Sequence, residues 1–267
     1  MHPVPLWQEE FPSPDDSPVP AARRLQGDPL SLLWRGDEFG SPITATVPSG
    51  FADLDAELPG GGWPCGVLTE LLSPQPTVVE WRLLGLSLRT LIAQQRTVVV
   101  VGPPKHPHLP GLHHEGIDDA HLVWIQACAP AERLWCAEQL IKANACGALI
   151  AWLPQARPEQ LRRLQVCAQG SDGLVFLVRP DTARFEASAA PLRVHVTYGL
   201  DWELHVRLLK RKGPVHDGVL ALPSVPGGLE RVLTPRLRRP SRLFSREVAY
   251  AVGGTVAPRA RRHAAAH

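Results

Sequence analysis

Cationic side chains are concentrated at the C-terminal end of the sequence. Residues 207–267 contain thirteen Lys or Arg and three Asp or Glu, although the formal net charge of the whole chain is only +2. Cations segregated in this way are typical of segments that bind a phosphate backbone or an acidic protein surface, and the alternative is a solvated basic tail. The residues predicted to contact DNA or a protein partner are Lys210, Arg211, Lys212, Arg236, Arg238, Arg239, Arg242 and Arg246.

Four histidines close together in the sequence raise the question of a metal site, because imidazole is a common ligand of Zn²⁺ and Ni²⁺. They are His106, His108, His113 and His114. Two prolines, Pro107 and Pro110, interrupt the group, and no Cys or Asp accompanies it at helical spacing. We therefore predict a surface loop followed by a short helix, and no metal site.

The cysteines give no sign of a disulfide framework, a zinc ribbon or a nucleophile. Their number is odd, no two form a C-x-x-C pair, and no His–Asp or His–Asn arrangement points to any of them. We predict that they are reduced and mostly buried as small apolar side chains. The cysteines are Cys65, Cys128, Cys136, Cys146 and Cys167.

Short apolar runs alternate with helical stretches from about residue 30 to residue 212, a pattern typical of βα units. The predicted strands are Gly66–Leu72, Thr97–Val101, His121–Ile125, Ala148–Leu153 and Gly173–Val178. The predicted helices, with apolar residues at helical spacing, are Val78–Gln95, Ala131–Ala145 and Pro158–Ala168. The predicted fold class is therefore α/β, with a mostly parallel sheet covered by helices on both faces. Tryptophans within these elements, Trp81, Trp124, Trp135 and Trp152, are predicted to be structural.

After residue 190 the apolar period becomes two. Alternating apolar side chains in 192–198 and 202–208 flank the break Gly199-Leu200-Asp201, which predicts an antiparallel hairpin that extends the sheet at one edge.

The two ends differ in composition from the predicted core at residues 29–212. Residues 1–28 are rich in Pro, Asp and Ser, which predicts a disordered arm, and residues 213–267 form a basic tail rich in Pro and Arg, flexible at least from about Val252. No apolar run reaches the roughly 20 residues that span a bilayer, and the N-terminus lacks the pattern of a signal peptide. We expect a cytoplasmic protein without membrane contact.

The segment Val47–Leu72 combines a short helix, a glycine run and the start of a core strand. It reads V-P-S-G-F-A-D-L-D-A-E-L-P-G-G-G-W-P-C-G-V-L-T-E-L-L. This resembles the entry to the ATPase core of the RecA family, in which T-G-x-x-x-L-D, glycines and P-x-G precede a hydrophobic strand with an internal Glu. The resemblance implies a RecA-like core whose first strand leads into the phosphate-binding loop G-x-x-x-x-G-K-[ST].

The residues at the positions of that loop are unsuited to binding a nucleotide. Aligned without gaps, Ser73 and Val78 replace the two glycines. Val79 replaces the Lys, and Glu80 replaces the Ser or Thr that holds Mg²⁺. A carboxylate at the last position would repel phosphate.

The other two ATPase elements of the family are also missing. Gly102-Pro103-Pro104-Lys105 stands where the family has a catalytic Glu, and Trp152 stands where it has an Asp linked to Mg²⁺. Phosphoryl transfer depends on positioned charges of this kind. We therefore predict a protein that is not an enzyme and has no cofactor.

Four stretches narrow the resemblance within the RecA-like proteins: Trp34–Glu38 (W-R-G-D-E), Phe51–Leu72, Val101–Pro104 (V-G-P-P) and Leu208–Pro214 (L-L-K-R-K-G-P). Together they resemble ImuA, the translesion-synthesis accessory family of the bacterial mutasome, some members of which are labelled SulA-like. The resemblance covers about residues 30–214 and implies an SOS-induced DNA-repair protein that acts through protein–protein contacts. The implied partners are an inactive Y-family polymerase homologue and a second replicative-type polymerase, with RecA as a further candidate. A SulA-like inhibitor of cell division and an active RecA-type ATPase are the alternatives.

Overall fold

The computed structural model describes residues 45–75 and 77–242. In this part of the chain an eight-stranded, mostly parallel sheet is flanked by helices, and two further strands form a small antiparallel sheet. The predicted α/β fold class is therefore confirmed. The predicted arm at residues 1–28, the motif Trp34–Glu38, and the tail beyond Arg242, which includes Arg246, lie outside the described residues.

The elements follow the predicted order with small shifts at their ends. The strands are β1 (Thr46–Val47), β2 (Trp63–Pro64), β3 (Leu68–Ser73), β4 (Val98–Val101), β5 (Leu122–Ile125), β6 (Ala148–Trp152), β7 (Leu174–Pro180), β8 (Leu192–Tyr198), β9 (Glu203–Lys210) and β10 (Leu220–Pro223). The helices are α1 (Ala52–Glu57), α2 (Val79–Ala93), α3 (Leu109–His114), α4 (Pro130–Lys142) and α5 (Pro158–Ala168). The large sheet has the strand order β10-β9-β8-β3-β7-β6-β4-β5, and β1 pairs with β2.

Apolar side chains enter the core from both faces of the parallel strands. In β4, Val98 and Val100 pack on the face that α2 and α3 cover, whereas Val99 and Val101 pack on the face that α4 and α5 cover. This explains why β4 is an unbroken run of valines, since a strand buried on both faces has no polar side. The parallel strands from β8 to β5 place their carboxyl ends at one edge, where loops lead into the helices.

The predicted hairpin is formed by β8 and β9, and β8 joins the sheet beside β3. A further strand, β10, pairs antiparallel with β9 and forms the edge. The packed fold thus continues past Lys212, where the sequence predicted the core to end. Leu222 of β10 is buried, but so short a strand leaves only a weak periodic signal in a segment rich in Pro and Gly.

Trp135, which was predicted to be structural, and Cys128, which was predicted to be buried, are both exposed. Trp135 is 62% exposed, because α4 turns Leu134, Ala137 and Ile141 toward the sheet and leaves Trp135 on its outer side. Cys128 is also exposed, in the loop before α4. Helical spacing alone did not tell which side of this helix faces the core.

Candidate functional site

The loop between β3 and α2 lies at the position of the predicted phosphate loop. β3 ends at Ser73, Val78 is the N-cap of α2, and Val79 is its first helical residue. This is the strand, loop and helix order of a phosphate-binding loop. Ser73 is buried, and its hydroxyl bonds to the backbone O and N of Gln75, each at 3.2 Å. Its hydroxyl is therefore engaged within the loop.

Glu80 directs its carboxyl group to the start of its own helix. The side chain is 1% exposed, and Oε2 accepts a hydrogen bond of 2.8 Å from the backbone N–H of Thr77. The backbone N–H groups of Thr77, Val78 and Glu80 at the start of α2 oppose the rise in the pKa of this carboxyl group. In a phosphate-binding loop such N–H groups hold the ligand phosphate. Here the N–H of Thr77 instead holds a carboxyl group of the same chain.

The environment of Glu80 favours its neutral form. Burial raises the pKa of Glu80 from 4.5 to about 7, against the opposing effect of the backbone N–H groups and of the Trp152 side chain. Among the described residues, neither Glu80 Oε1 nor Trp152 Nε1 has a hydrogen-bond partner of normal geometry, although both atoms are buried. Glu80 and Trp152, which the sequence resemblance aligned with Mg²⁺-linked residues, therefore lie near each other in the core.

The loop after β4 contributes no acidic side chain. Gly102 has φ +58°, and a Cβ at this position would lie 2.5 Å from the side chain of Arg133, so a residue with a side chain would be strained here and would displace Arg133. Pro103 and Pro104 follow. Lys105 is exposed and has no hydrogen bond or ion pair within the part of the chain that the structure describes.

An open cleft of about 320 Å³ lies between this loop, the start of α2, and α3. Its surface is mainly apolar. Six residues form most of the apolar lining: Val78, Trp81, Pro103, Pro107, Leu112 and Pro226. Sequence reasoning missed this cleft, because its walls come from three separate segments.

The first group of predicted basic contacts is partly engaged within the protein. Lys210 Nζ donates to the backbone O of Ser188 at 3.1 Å. Arg211 is more strongly committed, since its Nη1 lies 2.7 Å from Glu57 Oε2 and its side chain is only 14% exposed. Arg211 therefore ties the end of β9 to α1. Lys212 follows it and also makes an interaction.

The second group of predicted basic contacts lies in the segment that follows β10. This segment packs beside the turn between β8 and β9. Trp202 Nε1 donates to the backbone O of Leu237 at 2.9 Å, and Asp201 accepts two hydrogen bonds from Ser241. Those bonds to Ser241 lower the pKa of Asp201, with smaller effects from two nearby arginines. The predicted contacts in this segment are exposed: Arg236, Arg238, Arg239 and Arg242.

A wide groove of about 750 Å³ follows the outer side of β8 and β9. Arg207 and His195 line it, and Arg207 has no hydrogen bond or ion pair among the described residues. Phe185, at the rim, is 80% exposed, and the guanidinium of Arg184 lies 4.6 Å from the centre of its ring. The residues of this groove carry no signal in the sequence, because their side chains meet only when β8 and β9 pair.

A buried ion network lies beside this groove. Glu70, the internal Glu of β3, is fully buried, and its two oxygens accept from Arg179 Nη1 at 2.9 Å and Arg193 Nε at 2.6 Å. Arg179 also lies 2.6 Å from Glu186. These arginines belong to β7 and β8, the two neighbours of β3. Glu70 therefore joins three strands.

The structure does not gather the four clustered histidines around one point. Instead, His113 lies 3.3 Å from Asp119 and near Asp118, and all three are exposed. His106 stacks on Trp124 with ring centres 6.4 Å apart, and His108 caps α3. The separation of these roles gives no support to a site shared by the four imidazoles.

Two comparisons with known proteins found no match. No protein-family model matches the chain, and no curated protein shows significant sequence similarity to it. Among the described residues, no helix has the length and apolar character needed to cross a membrane.

Proposed function

We propose that this protein is a non-catalytic, RecA-like accessory protein of error-prone translesion DNA repair, and that it acts through protein–protein contacts. One observation supports the non-catalytic role: the buried carboxyl group of Glu80 accepts a hydrogen bond from the Thr77 N–H at the start of α2. A nucleotide phosphate at this place would have to displace that carboxyl group. The translesion role is supported by the sequence resemblance to ImuA.

The other two catalytic positions support the same proposal. The loop after β4 has Gly102-Pro103-Pro104-Lys105 where a water-activating carboxylate would be needed, and β6 ends in Trp152, whose indole has no metal-binding oxygen. Positioned charges provide nearly all of the catalysis in phosphoryl transfer. Replacement of all of them leaves a folded platform for binding.

Basic side chains are the proposed contacts to DNA or to an acidic partner surface. The candidates are the exposed arginines at 236, 238, 239 and 242, together with Arg207, which has no hydrogen bond or ion pair among the described residues. Arg238 also donates to the backbone O of Glu230, and Arg211 is bound to Glu57. The proposed protein partners are the inactive Y-family polymerase homologue, the second replicative-type polymerase and RecA.

Two experiments test this proposal. Purified protein with Mg²⁺ and ATP is expected to show neither thermal stabilisation nor ATP turnover, and turnover that is lost in the Glu80→Ala variant would refute the non-catalytic role. Deletion of the gene is expected to lower damage-induced mutagenesis without changing cell division. Filamentous growth on overexpression, with normal mutagenesis in the deletion strain, would instead indicate a division inhibitor.

A further inference from the structure

The cleft beside the start of α2 presents apolar surface on a rigid frame. Val78 is 48% exposed and Trp81 is partly exposed, while Leu112 is buried at the lining. Pro103 and Pro107 form part of the wall, and proline rings restrict the backbone, so little ordering is needed when a ligand binds. Concave apolar surface of this kind is typical of a binding site.

The charged residues that line the cleft are two cations, Arg82 and Lys105, and one anion, Glu115. Arg82 Nη2 donates to the backbone O of Trp202 at 2.8 Å, and Glu115 Oε1 accepts from the N–H of Gly227 at 2.6 Å, so both side chains are held in place. Lys105 has no hydrogen bond or ion pair among the described residues. His108 accepts a hydrogen bond at Nδ1, which leaves Nε2 as a donor.

The two cations of the lining, Arg82 and Lys105, outnumber its single anion, Glu115, and His108 adds an N–H donor. This excess of positive charge favours an apolar group that carries acidic neighbours.

We propose that this cleft binds an apolar side chain of an acidic peptide segment in a partner protein. The volume of about 320 Å³ is close to the lower limit of about 300 Å³ for ligand pockets, and the cleft is open. It suits a side chain that projects from a peptide better than a small molecule that must be enclosed. This inference rests on the proposed function for the partner's biological role, but the binding itself is independent of DNA repair.

Fluorescence anisotropy with short synthetic peptides tests the proposal. Three fluorescein-labelled peptides share a central Leu-Phe pair and differ only in flanking residues, which are Asp and Glu, Asn and Gln, or Lys. The acidic peptide is expected to bind with the lowest Kd, about tenfold below the amide peptide, because each opposite charge favours the complex. Equal affinity for all three peptides, or no binding of the acidic one, overturns the proposal.

Three variants locate the binding. Val78→Asp and Lys105→Glu are each expected to raise the Kd of the acidic peptide about tenfold or more. Val78→Asp should fold, because Asp is a favoured N-cap residue and Val78 makes no side-chain cap bond. Arg162→Glu is the matched control, since it makes the same charge change as Lys105→Glu on an exposed position of α5, on the opposite face of the sheet.

The control separates a specific site from general attraction. A loss of affinity in Arg162→Glu as large as in Lys105→Glu would show non-specific electrostatics and overturn the proposal, as would competition by free fluorescein as strong as that by unlabelled acidic peptide. Far-UV circular dichroism confirms that each variant is folded. Failure of peptide binding rejects the cleft alone, because the proposed function is tested separately by ATP turnover and by gene deletion.

Discussion

Glu80 provides the sharpest test of the structure, through the substitution Glu80→Gln. Glutamine has nearly the shape of the carboxyl group and keeps an oxygen that can accept from the Thr77 N–H. It carries no charge at any pH, whereas a glutamate becomes ionised as the pH rises through its pKa. The substitution therefore isolates the cost of a buried negative charge.

The expected effect depends on pH. The pKa of Glu80 is about 7 in the folded protein and 4.5 as the reference value, so the folded state binds the proton more tightly. The contribution of Glu80 to stability is therefore fully present below about pH 4.5 and is lost as the pH rises to about 7. Each tenfold change in proton affinity corresponds to about 1.36 kcal/mol, which gives a total of about 3 kcal/mol.

Urea unfolding, monitored by tryptophan fluorescence at pH 5, 6, 7 and 8, measures this effect. For small proteins the free energy of unfolding usually falls by about 1 to 3 kcal/mol per M of urea. The free energy of unfolding of Glu80→Gln, minus that of the unsubstituted protein, is expected to be about 1 kcal/mol at pH 5. It is expected to rise further, to about 3 kcal/mol, at pH 8. The effects of other titrating groups cancel in this difference.

The control is Glu159→Gln, since Glu159 is the second residue of α5, as Glu80 is of α2, but is exposed. Its difference in stability is expected to be small at every pH. A Glu80→Gln variant that is less stable than the unsubstituted protein at pH 8 would refute the argument. That result would mean that the N–H groups at the start of α2 stabilise the ionised carboxylate more than burial destabilises it.

Three further predictions concern stability and are measured by urea unfolding at constant pH. Glu70→Gln should lower the free energy of unfolding by about 3 to 5 kcal/mol, because it leaves two buried arginines without their negative partner. The control Glu186→Gln removes a half-exposed partner of Arg179 and should cost less than about 1 kcal/mol, so equal losses would contradict the stabilising role of Glu70. Thr77→Gly should raise the free energy of unfolding by about 1 kcal/mol, because Thr77 has φ +84°, a conformation that strains any residue except glycine. A lower free energy of unfolding would show that the Thr77 side chain stabilises the fold by more than this backbone strain costs. Arg211→Ala should cost about 1 to 2 kcal/mol through the lost contacts to Glu57, and Lys210→Ala, its exposed neighbour, should change little.

The sequence predicted the α/β core well, because periodicity and apolar runs depend on local chain geometry. Helix α5 begins and ends at the predicted residues, Pro158 and Ala168, since a proline at the first helical position and regularly spaced leucines define it. The valine run of β4 likewise indicated a strand buried on both faces. By contrast, Trp135 was assigned wrongly, since helical spacing gives a period but not the direction of the core.

The sequence alone also determined that the residues typical of a phosphate loop are absent, because that absence is a matter of residue types at Ser73, Val78, Val79 and Glu80. Only the tertiary structure decided what Glu80 does, since its burial, its contact to Thr77 and its proximity to Trp152 depend on how α2 packs on the sheet. The same holds for the open cleft and for the outer groove of the hairpin. Their walls come from segments far apart in the chain, so their chemistry exists only when folding brings those segments together.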